Sequence, residues 1–154
     1  MDRIMRLLKA NRIMTMATSL DDVPRASIME YTMVGDTMMF STFPDSRKNR
    51  NLVKNPKISF TVGHVPMYLT VDGRVEEASQ KEIDEYIGML TGFRWHAIRG
   101  PKPKYVQDWN RMMMERHPEF RQMMESGGMK YYKIIFETAH YIDGTNPAEV
   151  IKIK

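Results

Sequence analysis

The chain contains no cysteine among its 154 residues. That excludes disulfides, thiolate metal centres and cysteine nucleophiles, and it fits a reducing compartment. No apolar run approaches the roughly 18 residues that a membrane-spanning helix needs. The opening residues MDRIMRLLKANR lack the continuous apolar core of a secretory signal. A cytoplasmic protein with no membrane partner is therefore expected. G-x-S-x-G and G-x-G-x-x-G are also absent, so there is neither a hydrolase nucleophile elbow nor a dinucleotide fingerprint. The histidines His64, His96, His117 and His140 share no helical metal-ligand spacing. No metal site is expected from them, and no side chain is singled out as catalytic.

Hydrophobic residues make up 42% of the chain and charged residues 27%, the balance of a globular protein with a real core. The 16 methionines read as soft, adaptable core filler. The formal net charge of +4 allows an anionic ligand without demanding a polyanion. Tyr31, Phe60, Tyr131, Tyr132 and Phe136 read as core residues rather than base-stacking platforms. Nucleic acid is not an expected partner.

Along the chain, Asp2 to Lys9 reads as a helix with Ile4, Leu7 and Leu8 on one face. Strands follow over Arg12 to Thr18, Pro24 to Met33, Thr37 to Thr42, Lys57 to Val62 and Met67 to Val75. Turns fall at Leu20-Asp21-Asp22 and Gly35-Asp36. Gly73 marks a bulge or a close backbone approach. Ser79-Gln80-Lys81-Glu82 is a capping box opening a helix. A second helix is expected from about Val106 to Glu125. Lys130 to Phe136 reads as a long strand and Val150 to Ile153 as an edge strand. Short strands joined by hairpin turns point to a mainly β, small antiparallel barrel of about six strands. The expected architecture is one domain over 1–154, with an N-terminal helix and a two-helix insertion over 79–126.

One stretch concentrates charge directly after a strand: FSTFPDSRKNRNLVKNP, from Phe40 to Pro56. Asp45 or Ser46 is a good N-cap for a short helix from Arg47 to Lys54. Asn55-Pro56 ends that helix, because the residue before proline is pushed out of the helical region. A helix N-terminus offers unpaired N–H groups and partial positive charge. With the Ser46 hydroxyl, Arg47 and Lys48 around it, that end can cradle a phosphate. Arg25 opens the second strand, and Ser41 and Thr42 end its expected hairpin partner. The same end would then gather a second guanidinium and further hydroxyls.

These segments resemble the FMN-binding split-barrel proteins related to pyridoxamine 5'-phosphate oxidase. The resemblance lies in LKANRIMTMAT, PRASIM, FSTFPDSRKNRNLVKNPKISFTV and YLTVDGRVEE, in order over about residues 7–78. It implies a Greek-key split barrel, FMN as cofactor and a homodimer with flavin at the interface. It also implies electron or hydride transfer between a small-molecule donor and a small acceptor. By the same resemblance Arg47 and Lys48 grip the phosphate, Ser46 caps, and Arg25 reaches the phosphate or ribityl chain. Ala26, Ser27 and Ile28 line the ring, and Ser41 and Thr42 bond the ring or ribityl hydroxyls. Tyr68 stands where the oxidase has a glutamine near the flavin. The oxidase's arginine-containing tail has no counterpart in TNPAEVIKIK, so the vitamin substrate does not carry over. A non-catalytic flavin or electron carrier is the alternative, as is a relative holding the deazaflavin F420 or haem on the same barrel. In the insertion, Trp95, His96 and Arg99 are the candidates to face a substrate.

Overall fold

The structure, a computed structural model, describes residues 2–91, 115–116 and 128–153. Helix α1 (Asp2–Ala10) leads into β1 (Ile13–Leu20), β2 (Val23–Glu30), β3 (Thr32–Val34) and β4 (Thr37–Thr42). Helix α2 (Arg47–Lys54), β5 (Lys57–His64), β6 (Met67–Glu77) and α3 (Gln80–Thr91) follow, then β7 (Lys130–Ile142) and β8 (Glu149–Lys152). The helix expected over Val106 to Glu125, and with it Trp95, His96 and Arg99, lies outside the described residues apart from Glu115 and Arg116.

The turns set the strand pairing. Asp21 and Asp22 both take positive φ, 51° and 59°, which matches the twist of a two-residue hairpin between β1 and β2. Gly35, at φ 62°, turns β3 into β4. Eight antiparallel strands form one sheet in the order β2-β1-β5-β6-β7-β4-β3, with β8 on β7. The sheet curls into a split barrel. Inward positions alternate with outward ones, as in β5, where Ile58, Phe60 and Val62 are buried. Methionine is prominent inside: Met14, Met16, Met29, Met33 and Met38 all join the core. Ile4 and Leu8 of α1 enter that core near the start of β1, and Leu52 of α2 enters it as well.

Gly73 proves to be both a bulge and a close approach. The β6–β7 register shifts between Asp72 and Gly73. A Cβ at Gly73 would collide with the Ile135 carbonyl oxygen.

The expected strand count and one boundary need correction. The run from Pro24 to Met33 is not one strand but two, broken at Tyr31. The Tyr31 N–H donates to the Arg12 carbonyl at 2.9 Å, and its phenol donates to the Leu8 carbonyl, also at 2.9 Å. That split turns the seven runs read as strands, the edge strand over Val150 to Ile153 included, into eight, against the barrel of about six expected. The break also opens the barrel. Beyond it, β3 pairs with β4 only from Val34↔Thr37 to Thr32↔Met39, while β2 pairs with β1. The end of β4, Phe40 to Thr42, therefore has β7 on one side and, among the described residues, no strand on the other.

Candidate functional site

Helix α2 starts at the open end of β4 and packs onto β1. Ser46 is its N-cap, and its Oγ accepts the Asn49 N–H at 3.2 Å. Thr42 Oγ1 and Ser46 Oγ share a hydrogen bond of 3.0 Å, which fixes the cap to the last residue of β4. Asn51 Nδ2 donates to Thr18 Oγ1 at 3.0 Å in a buried contact. Asn55 Nδ2 donates to Ser19 Oγ at 3.1 Å and to the Ser19 carbonyl at 3.2 Å. From below, the Tyr132 phenol donates to Asn49 Oδ1 at 2.7 Å, and Asn49 Nδ2 donates to the Pro44 carbonyl, also at 2.7 Å. The helix is bolted to the barrel at both ends.

That framework aims the first turn of α2 outward. Ser46 takes care of the Asn49 N–H. The N–H groups of Arg47 and Lys48 have no acceptor among the described residues, as expected of a helix's first positions. The Arg47 side chain is exposed and Lys48 is half-buried. Neither forms an ion pair with a described residue. Burial lowers the Lys48 pKa below the usual lysine value. A cation held in a partly dry position without a counter-charge is what an anionic ligand would relieve.

Arg25 reaches the same region by a route the sequence did not suggest. Its expected hairpin partner was the strand ending at Thr42, but β2 pairs with β1, and Arg25 lies directly across from Thr18. Thr18 in turn holds Asn51 of α2. Arg25 and the Ser46–Lys48 turn thus flank a split between β2 and β4 that α2 bridges, instead of adjoining through one hairpin. Arg25 is exposed, and its only hydrogen bond among the described residues is a 3.4 Å contact to the Pro24 carbonyl. Along β2, Ser27 sits on the same face as Arg25, while Ala26 and Ile28 face outward, Ile28 being 76% exposed.

Ser41 and Thr42 divide between the two faces of β4. Thr42 is buried and committed to Ser46. Ser41 faces out, where its Oγ lies 3.3 Å from the Tyr86 hydroxyl of α3. Tyr68 is not brought to this cluster. It pairs with Gly63 and Ile142, whereas Thr18 pairs with Ile58, which pairs with Gly73. Tyr68 is thus five residues along β6 from the Arg25 row, about 17 Å at strand rise.

Several residues of the site escaped the sequence reading. Asn49 and Asn51 are given no role by the sequence, and Asn55 reads there only as the end of the helix. A signal for them existed: asparagine is a poor helix former, so its repeated use in a short helix asks for a partner. Tyr86 and Tyr131, packed edge-on with centroids 5.7 Å apart, gave no comparable signal.

The fold is shared with known structures. General Stress Protein 26 from Bacillus anthracis superposes with a TM-score of 0.64 at 15% identity, over 99% of this chain and 97% of that one. A haem-binding protein from Mycobacterium smegmatis gives 0.65 at 13% identity, over 95% of this chain but only 55% of that one. An FAD-binding protein from Mesorhizobium loti gives 0.57 at 18% identity, over 87% of each chain. No curated protein matches this chain in sequence. The pyridoxamine 5'-phosphate oxidase family model matches residues 1–143. With nearly the whole length matched and the split barrel in place, this chain belongs to the pyridoxamine 5'-phosphate oxidase family.

Proposed function

We propose that the protein binds FMN in the split between β2 and β4 and acts as an oxidoreductase toward a small acceptor. The observation that carries the assignment is the first turn of α2. Arg47, half-buried Lys48 and two free N–H groups converge there without an acidic partner among the described residues. Their chemistry fits a phosphomonoester: a charge-assisted bond from each cation, plus the helix N-terminus. Arg25 stands across the split as a third cation. The edge of Phe40 to Thr42, unpaired among the described residues on the side away from β7, supplies backbone groups for the polar part of the ligand. When bound, the flavin would supply the hydride or electron chemistry. The chain's own residues bind it, orient it and shield one side.

A homodimer completes this assignment. The outward face of β2, β1, β5 and β6 carries Ala26, Ile28, Ile13, Thr15, Ala17, Ser59, Thr61, Tyr68 and Thr70, with the charged Glu30, Lys57, Asp72 and Arg74 around them on the same face. Ile13 and Ile28 are 49% and 76% exposed. An uncharged patch with exposed isoleucines and a charged rim favours a second copy of the sheet over water. Since Tyr68 is remote from the phosphate end of its own chain, it would meet the flavin from the partner subunit. The FAD- and haem-binding relatives on the same barrel make those cofactors the competing outcomes.

The test is the absorption spectrum of the purified protein, with mass spectrometry of whatever heat releases from it and sedimentation to give its mass. FMN released from a dimer of 18.1 kDa chains is the expected result. FAD, F420 or haem would keep the barrel and change the chemistry. A colourless protein that takes up no added FMN would overturn the cofactor assignment. NAD(P)H oxidation with candidate acceptors then separates an enzyme from a carrier.

A further inference from the structure

With the flavin assignment above as its premise, we propose that Tyr86 is a positioning residue for the cofactor, so that α3 is part of the site. Tyr86 stands at the closed corner of the split. The β3–β4 ladder ends at Thr32↔Met39. Two rows further it would have paired Glu30 with Ser41, and this is where β2 leaves β4. The Tyr86 hydroxyl lies 3.3 Å from Ser41 Oγ.

The side chain is well placed to hold rather than merely to fill. Tyr86 is 4% exposed, and its ring is wedged edge-on against Tyr131 at 72°. Burial, foremost, pushes the phenol pKa up, and the Tyr131 and Glu30 charges add to that, while the bond to Ser41 opposes it. The phenol therefore stays protonated at neutral pH. Two hydroxyls that share one hydrogen bond use one of their two protons on each other. The second proton remains for a third partner.

The consequence falls on β4. Its last two residues are pinned from opposite faces, Ser41 by Tyr86 outside and Thr42 by Ser46 inside. Between them runs the strand edge that no other described strand covers. Tyr86 thus fixes both the orientation of the Ser41 hydroxyl and the set of that free edge. Ser41 directly precedes Thr42, which holds the N-cap Ser46, so the Tyr86–Ser41 pair adjoins the phosphate turn of α2 from the opposite face of β4.

The test is a double-mutant cycle on FMN affinity, titrated by quenching of flavin fluorescence on the apoprotein. Tyr86→Phe keeps the ring and removes only the hydroxyl; Ser41→Ala removes its partner. Each single variant is expected to weaken FMN about fivefold to tenfold, the worth of one hydrogen bond. The double variant should lose no more than either single one. Both variants should displace the visible bands of bound FMN in the same direction. Thermal melts of the apoproteins should stay near wild type. Additive losses, or wild-type affinity and spectrum in Tyr86→Phe, would overturn the positioning role and leave the flavin assignment standing. A lowered apoprotein melting temperature with unchanged affinity would reduce Tyr86 to packing. If wild type itself binds no FMN, both ideas fall together, and that outcome is visible before any variant is made.

Discussion

Tyr132 and Asn49 meet inside the barrel: the phenol donates to Asn49 Oδ1 at 2.7 Å, with both side chains buried. Tyr132 is also stacked on Phe40, with centroids 5.6 Å apart. The start of β7, the end of β4 and the first turn of α2 are thereby locked to one another. The orientation of the proposed phosphate site is inherited from the core and not from its own loop.

Tyr132→Phe tests that lock. It preserves the stack on Phe40 and leaves Asn49 Oδ1 buried without its donor. An orphaned buried acceptor costs about 1–3 kcal/mol. Urea denaturation should show that loss as a lower midpoint with an unchanged slope. FMN affinity should fall as well, because Asn49 no longer anchors the helix. A midpoint equal to wild type would mean that water replaces the phenol at no cost.

Replacing Arg47 and Lys48 together with alanine should strip the protein of flavin without unfolding it. Neither side chain is paired with a described residue, and Arg47 is exposed. Each charge-assisted bond to a phosphate is worth about 1.5–3 kcal/mol. Losing two would lower affinity by two to four powers of ten, roughly. Circular dichroism should be unchanged. Purified double variant that stayed yellow would place the phosphate elsewhere.

Elements set by local chemistry were legible in the sequence. The bounds of α2 follow from Ser46 as cap and Pro56 as stop, and both bounds are observed. The capping box is present too, with the Ser79 N–H donating to Glu82 Oε2 at 2.8 Å. What escaped was non-local. Met29 and Met33 both point inward, so the hydrophobic pattern runs past Tyr31 with no local sign of a break. That break depends on carbonyls of Leu8 and Arg12, more than a hairpin away. With the break missed, β2 was given the wrong neighbour, and Arg25 was carried to β4 instead of to β1. For the same reason Ser41 was assigned to the ligand alone, because nothing near it in sequence announces Tyr86.

Lys48 supplies a pH test with a definite sign. Burial lowers its pKa in the folded apoprotein below the ordinary 10.5. Below the lowered value both folded and unfolded chains carry the proton, and the folded state bears the cost of a half-buried charge. Between the lowered value and the ordinary one, the unfolded chain binds more protons than the folded chain. Stability from this group therefore rises with pH across that window. A phosphate beside the ammonium acts the other way, favouring the charged form and closing the window. Melting temperatures taken over about pH 7 to 10 should thus show wild-type apoprotein gaining on Lys48→Met as pH rises. Added FMN should shrink that gain, and FMN affinity should weaken over the same range. Parallel curves for the two proteins, with and without FMN, would show that Lys48 meets neither a dry surface nor a phosphate.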